Sequence, residues 1–330
     1  MESEPPPFRT LLFARSPHVQ TIAATFGFAR PPPSVSDIVE LADGDRIALE
    51  ISTPPVWRED GLTVLAIHGL CGCSGSPYMV RLAVKLWNAG VRCVRMNLRG
   101  CGPGFGLARR IYHSGRSEDA LAAVQALRKK WPESGVALVG FSLGGNIALK
   151  LAGELGEQGS TTLRQVAAVS PPVDLRASAQ KLSGRGGQIY ERMFVQLLRK
   201  NVAERHAHFS DMSKPRLPRK LRLIEFDNLY TAPECGFRDA LDYYERASSG
   251  PLLRQIGVPT RILFARDDPL IDTDAFDRFE LSPSVMIHRT ERGGHLGFLG
   301  RPGQAGGYRW MDAAILRWLG VIQLESCPIP

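Results

Sequence analysis

The chain has 330 residues, 44% apolar and 22% charged, with 33 glycines and 24 prolines, an ordinary globular composition that excludes collagen-like, disordered and coiled-coil readings. Lysine and arginine number 41 against 33 acidic residues, and this +8 surplus is spread along the chain, so no nucleic-acid partner is expected. No apolar run comes near the roughly 18 residues a membrane span needs, so no transmembrane anchor is expected either.

Residues 1–33 open acidic and proline-rich and end on Pro31-Pro32-Pro33. Without a basic segment leading into an apolar one they do not read as a secretory leader. They read as an arm leading into one domain over 34–330. Two alternating segments, 38–41 and 46–51, flank Ala42-Asp43-Gly44-Asp45, whose Asp-Gly pair signals a hairpin.

Short apolar runs then alternate with helical stretches. Strands are predicted over 62–67, 91–96, 136–139 and 166–169, and helices over 78–88, 117–130 and 146–155. Such alternation implies crossover connections and a mostly parallel sheet flanked by helices. The pattern lapses over about 174–258, which is basic, helical and without a convincing strand. It resumes with a strand over 261–264, a short helix near 274–279, a strand over 285–289 and a final helix over 307–319. The reading is a single sheet domain carrying a helical cap insertion, which in α/β sheets lies over the carboxyl ends of the strands, where ligands bind.

Gly140-Phe141-Ser142-Leu143-Gly144 matches G-x-S-x-G and lies between an apolar run and a helical one. A sharp strand-to-helix turn needs glycine on both sides, where a Cβ would clash, and it lifts the Ser142 hydroxyl above the sheet at a helix N-terminus. A serine hydroxyl needs a base. Of the seven histidines, at 18, 68, 113, 206, 208, 288 and 295, only His295 follows the last strand in a glycine-rich loop, Arg292-Gly293-Gly294-His295-Leu296-Gly297. His288 falls within a strand and reads as packed or surface-exposed, while His206 and His208 read as a solvated face of the insertion.

An imidazole base needs an acceptor on its other nitrogen. Asp268, just past the penultimate strand and before Pro269, is favoured, with Asp267 the alternative; Asp272 and Asp274 look like helix caps. An oxyanion hole would take the backbone N–H of Leu143 and a second N–H from His68-Gly69-Leu70-Cys71-Gly72. Leu70 leads there and Cys71 is the alternative, with His68 holding the loop through hydrogen bonds. The chain order Ser142, Asp268, His295 is that of α/β-hydrolases.

These residues resemble the α/β-hydrolase superfamily and, within it, the YheT-like branch of esterases and lipases (AB hydrolase 4 family), related to membrane-anchored lipid esterases. The resemblance rests on Ser16-Pro-His-Val-Gln-Thr-Ile22, His68-Gly-Leu70, Asn97-Leu-Arg-Gly100, Gly140-Phe-Ser-Leu-Gly-Gly145, Phe226-Asp227 with Thr231-Ala-Pro233, Ala240-Leu-Asp-Tyr-Tyr244, Ala265-Arg-Asp-Asp-Pro269 and Gly293-Gly-His-Leu-Gly-Phe298. It implies an α/β-hydrolase fold, a triad of Ser142, Asp268 and His295, and hydrolysis of carboxylic esters. The N-terminal anchor of the eukaryotic relatives has no counterpart in this sequence, which favours a soluble enzyme of bacterial type, and the cysteine usage is that expected of a cytoplasmic one.

Six cysteines, at 71, 73, 93, 101, 235 and 327, form no CxxC pair and no zinc spacing, so reduced thiols and no metal are expected. Cys71 and Cys73 read as small packing residues. Residues 99–104 lie near the substrate entrance or form a plain glycine-rich turn; no lysine follows to make them a phosphate loop. The 193–198 stripe packs the insertion, with lining an acyl pocket or touching lipid the alternatives, and the basic 214–222 stretch reads as a solvated loop, with anionic head groups or a membrane surface the alternative partner. Ser16–Ile22 is too polar for an anchor and fits a sheet edge or the vicinity of the site. The expected function is a serine hydrolase with no cofactor, acting on short- to medium-chain acyl esters or acylglycerols. A thioesterase, amidase or peptidase with the same triad is the alternative, and a non-catalytic binding protein a weaker one.

Overall fold

Eight apolar runs become eight strands of one sheet in the structure, a computed structural model that describes residues 4–26, 29–304 and 306–321. The strands are β1 (Val35–Glu40), β2 (Arg46–Ser52), β3 (Thr63–Ile67), β4 (Arg92–Asn97), β5 (Val136–Phe141), β6 (Gln165–Val169), β7 (Thr260–Ala265) and β8 (Val285–Thr290). Their order across the sheet is β1-β2-β4-β3-β5-β6-β7-β8. β1 and β2 form the antiparallel hairpin the Asp-Gly pair signals, with Gly44 at φ +84° in its turn. β2 also runs antiparallel to β4, and every later pairing is parallel.

The helices are α1 (Pro17–Ala24), α2 (Pro77–Asn88), α3 (Ser117–Lys130), α4 (Leu143–Leu155), the single turn α5 (Gly159–Thr162), α6 (Leu175–Ser183), α7 (Gln188–His208), the short α8 (Leu223–Phe226) and α9 (Ala232–Glu234), α10 (Ala240–Ala247) and α11 (Trp310–Trp318). Period-two alternation divides the central strands between two cores. Leu65, Ile67, Leu138 and Ala168 face one way, against Val124, Leu127, Ile147 and Leu151 of α3 and α4. Val64, Ala66, Val139 and Val169 face the other, against Leu82 and Leu86 of α2 and Trp310 and Ile315 of α11. Both faces being covered is what a parallel sheet requires.

Residues 174–258 hold α6 through α10, with no strand among the described residues. Leu182, Tyr190, Val195 and Leu223 join the main core, so this segment is packed onto the sheet rather than tethered beside it. Arg99, buried past the end of β4, fastens the hairpin from the other side. It donates through Nη1 to Asp43 and Asp45 of the β1–β2 turn, at 2.7 and 2.8 Å, and through Nε and Nη2 to Asp119 of α3, at 2.7 and 2.6 Å.

Three helical elements depart most from the sequence reading, each for a physical reason. The helix expected from 146 begins at Leu143, because Gly144 and Gly145 are weak helix formers that the close packing beneath them nevertheless demands. The final helix expected from 307 begins at Trp310, since Gly306 and Gly307 sit at φ +93° and +65°. The segment near 274–279 is a 3₁₀ turn, Thr273–Asp277, and the Asp272 carboxylate at its start pairs with Arg278 instead of capping.

Candidate active site

β5 ends in Gly140-Phe141 and α4 begins at Leu143, leaving Ser142 alone to reverse the chain, at φ +53° and ψ −120°. Only glycine fits around it. A Cβ on Gly140 would lie 2.3 Å from the Gly144 carbonyl oxygen, and one on Gly144 would lie 2.3 Å from that of Ile67. The Ser142 N–H donates to the Val169 carbonyl (2.8 Å), and its own carbonyl accepts from Gly145 and Asn146 in the first turn of α4. The strained backbone is therefore held from both sides, as such a conformation must be.

His295 lies after β8 in a loop of unusual backbone, with Gly293, Gly294, Leu296 and Phe298 at φ +155°, +57°, +59° and +43°. Its Nδ1 is 2.8 Å from Asp268 Oδ2, and its Nε2 is 2.8 Å from Ser142 Oγ. Because a carboxylate only accepts, the proton sits on Nδ1 and Nε2 turns its lone pair to the serine hydroxyl. Asp268 is almost wholly buried and accepts two further bonds at Oδ1, from Leu270 N–H (2.8 Å) and Ile271 N–H (3.3 Å). Its neighbour Asp267 turns away from the ring and accepts the Gly294 N–H at 2.9 Å; burial pushes its carboxyl up from the ordinary range. A serine, an imidazole and a carboxylate in this line are able to pass the hydroxyl proton to the ring while the carboxylate stabilises the resulting cation.

The loop after β3 comes up beside Ser142, and Gly69 allows it: a Cβ there would lie 3.1 Å from Ser142 Cβ. Two tyrosines take the amides on either side of Leu70. Gly69 N–H donates to the Tyr78 hydroxyl and Cys71 N–H, at φ +56°, to the Tyr112 hydroxyl, both at 2.9 Å. Among the described residues no protein acceptor takes the Leu70 N–H, and the Leu143 N–H, first in α4, has none within the helix. His68 is fully buried beneath. It donates from Nδ1 to the Gly69 carbonyl (2.8 Å) and accepts the Leu98 N–H at Nε2 (3.1 Å), and burial lowers its pKa to about 4, so it stays neutral.

Above Ser142 opens a cavity of about 170 Å³. Leu70, Leu143, Leu182, Phe194, Leu198 and Ile271 line it, and so do Asp227, Tyr243 and Tyr244. The 193–198 stripe thus divides: Phe194 and Leu198 face the cavity, Val195 packs the core, and Met193 and Leu197 are exposed. Arg99, Gly100 and Cys101 line the same cavity. All five basic side chains of 214–222 are exposed.

The other histidines fall elsewhere. His18 stacks on Tyr190 of α7, with Nδ1 3.0 Å from the hydroxyl. His113 is buried beside the cavity and burial lowers its pKa to about 3. His288 lies half-buried against Trp310 and Trp318. His208 is exposed, but His206, expected on a solvated face, is buried with Nε2 2.9 Å from the Tyr230 hydroxyl. The turn of α7 that carries it packs inward beside Val202, a contact that helical spacing alone did not reveal.

Sequence reasoning did not single out Tyr78 or Tyr112, and the only signal for Thr21, whose Oγ accepts the His295 N–H at 2.9 Å, is its place in the Ser16–Ile22 stretch. Five cysteines, 71, 73, 93, 101 and 235, are free thiols, and Cys327 lies outside the described residues. Among the described residues no cluster of three metal-ligating side chains occurs, and no helix is long and apolar enough to cross a membrane.

A family profile for the alpha/beta hydrolase fold matches residues 63–302. The chain is similar to "Putative esterase YheT" of Escherichia coli, 34% identical over 299 residues that cover 88% of this chain and 86% of that one. It is also similar to a monoacylglycerol lipase of Saccharomyces cerevisiae, 30% identical over 285 residues, 82% of this chain and 62% of that one. Among solved structures, a 2,6-dihydroxy-pseudo-oxynicotine hydrolase superposes with a TM-score of 0.56 at 18% identity, covering 91% of this chain and 71% of that one. An esterase of Pyrococcus furiosus gives 0.52 at 16% identity, over 88% of this chain and 90% of that one. At such identities these structures speak to the fold alone.

Proposed function

This chain belongs to the α/β-hydrolase family, in its YheT-like branch, and from that premise we propose that it hydrolyses carboxylic esters through Ser142, His295 and Asp268. The observation that carries the reading is the unbroken line from Asp268 Oδ2 to His295 Nδ1 and from His295 Nε2 to Ser142 Oγ, each step 2.8 Å. Ser142 attacks the ester carbonyl as His295 takes its proton, and Asp268 keeps the ring in the tautomer that leaves Nε2 free. The tetrahedral oxyanion rests on the N–H groups of Leu143 and Leu70. The assignment of Leu70 over Cys71 is supported by the Cys71 amide being already given to Tyr112. His295 then protonates the leaving alcohol, and water, deprotonated by the same ring, releases the acid from Ser142.

The apolar lining beside Ser142 fits an acyl chain of short to medium length, free or in an acylglycerol, and residues 174–258 serve as the cap that closes over it. The names of the two curated relatives, an esterase and a monoacylglycerol lipase, agree with that class. The test is hydrolysis of p-nitrophenyl acetate and butyrate by the wild type and by Ser142→Ala. A loss of about 10³-fold or more in the variant is expected, since removing a nucleophile that acts as one unit with its base removes most of the rate. Equal rates in the two proteins would overturn the proposal.

A further inference from the structure

We infer that the N-terminal helix α1 belongs to the active-site machinery: Thr21, with Gln20 beside it, is a positioning residue that holds the His295 loop in the backbone shape catalysis needs. The inference rests on the ester-hydrolase reading of Ser142 and His295.

The loop does not hold itself. Within six residues it contains four at positive φ, two of them the non-glycines Leu296 and Phe298, and such a run persists only where its surroundings over-determine it. Its internal bond is Phe298 N–H to the Gly293 carbonyl, 3.0 Å. The other anchors come from outside, and most come from the arm. Thr21 Oγ gives its proton to the Pro17 carbonyl (2.7 Å), which turns a lone pair toward the His295 N–H, 2.9 Å away. Gln20, fully buried, accepts the Leu299 N–H at Oε1 (2.7 Å) and donates from Nε2 to the Ala14 carbonyl (2.8 Å) and the Leu299 carbonyl (3.3 Å). Leu11 N–H reaches the Leu299 carbonyl, and Arg301 N–H reaches that of Arg9.

The two backbones also press together. A Cβ on Gly294 would lie 2.4 Å from the Pro17 carbonyl oxygen, and one on Gly297 would lie 2.6 Å from that of Gln20. One turn away, His18 stacks on Tyr190, so α1 is wedged between the histidine loop and the long helix of the insertion. A residue that bonds the main chain of His295 sets where Nε2 points, and the 2.8 Å contact to Ser142 leaves little room for error. Packing alone would be served by valine at 21, which has the shape of threonine; the bond to His295 would not.

The experiment compares wild type, Thr21→Val, Thr21→Ala and Thr21→Ser in the full chain. Turnover of p-nitrophenyl butyrate is expressed per Ser142 titrated with a fluorophosphonate, so that misfolded protein is not counted. Thr21→Val and Thr21→Ala, which both remove the hydroxyl, are expected to lower kcat about 10- to 100-fold with KM changed less than about two-fold, and Thr21→Ser to recover to within about three-fold of wild type. A Thr21→Val or Thr21→Ala protein that turns over at the wild-type rate per site overturns the inference, as does a serine variant no better than valine. A wild type no faster than Ser142→Ala would sink the ester-hydrolase reading as well, a different result from an active wild type indifferent to residue 21.

Discussion

The strand ends and the insertion keep their shapes by different means. At the strand ends the backbone decides: Gly140 and Gly144 admit no Cβ, Cys71, Ser142 and Leu296 sit at positive φ, and the amides around Leu70 are each assigned a place. In the insertion side chains decide. Asp227 accepts from the Thr231 and Tyr244 hydroxyls, both at 2.6 Å, while Tyr230 bonds His206 and Arg205, and Arg205 pairs with Glu234. A geometry written in the backbone serves any substrate and tolerates almost no change. A wall built of side chains is altered one contact at a time. Loss of turnover is therefore expected from the first region, and altered selectivity or pH response from the second.

The largest effect tests the first half of that contrast. Asp268→Asn keeps the shape of the carboxylate but lets the His295 tautomer reverse, and kcat is expected to fall about 10⁴-fold with KM little changed. Asp267→Asn is the control. Asp267 serves the Gly294 amide rather than the ring, and an amide oxygen can still accept that bond, so its loss is expected to stay within about ten-fold. Steady-state kinetics on p-nitrophenyl butyrate separates them, and equal losses would erase the distinction between the two aspartates. A smaller effect is expected from Tyr112→Phe, which leaves the Cys71 N–H without its acceptor and frees the loop that presents Leu70. The expected fall in kcat is about ten-fold, in line with one part-buried amide left unpaired. A change confined to KM would show that Tyr112 shapes the cavity instead.

How much of this was legible follows the same division. The helix expected over 117–130 matches the structure, and the strand runs are found within a residue or two apart from β1, which starts at Val35 rather than 38, because period-two and helical spacing survive in sequence wherever a face is buried. The residues proposed for chemistry, Ser142, Asp268 and His295, lie together because each follows the carboxyl end of a strand in one sheet, a consequence of topology that strand counting reaches. Thr21, Tyr78 and Tyr112 leave no such trace. A side-chain bond to a distant main-chain amide has no periodicity, and nothing near Tyr112 in sequence says that Cys71 is its partner, 41 residues away. His206 illustrates the insertion's opacity: its burial depends on Tyr230, 24 residues on, and not on its neighbours along α7.

In the insertion, the sharper test is Leu198→Phe, which fills part of the cavity from α7. Turnover of p-nitrophenyl acetate is expected to remain within about two-fold, while the octanoate ester loses about ten-fold, because a few lost methylene contacts are worth 1–3 kcal/mol. Equal losses on both esters would mean that the substitution disturbs Ser142 and not the pocket, and the two regions would no longer be separable.

The smallest effect on turnover is expected at Asp227, and there pH becomes the readout. Burial raises its carboxyl from 3.8 to about 6 despite the bonds from Thr231 and Tyr244. Between those values the folded chain holds a proton that the unfolded chain has released, so the carboxyl's contribution to stability is present at low pH and is lost as pH rises through about 6. His68 has the opposite sign. Its pKa is lowered to about 4 from 6.5, so the unfolded chain is the one that binds protons as pH falls, and acid destabilises the strand-end loop. Asp227→Asn removes the first titration and leaves the second. The melting temperature of the variant minus that of wild type is expected to climb between pH 4 and 6 and then level off, by an amount corresponding to about 1–3 kcal/mol. Activity on neutral esters is expected to stay within about two-fold throughout. Taking the difference at each pH cancels any fixed cost of the amide, so a flat difference would mean that Asp227 titrates alike in the folded and unfolded chain, and the wall it stands in is wetter than its burial implies.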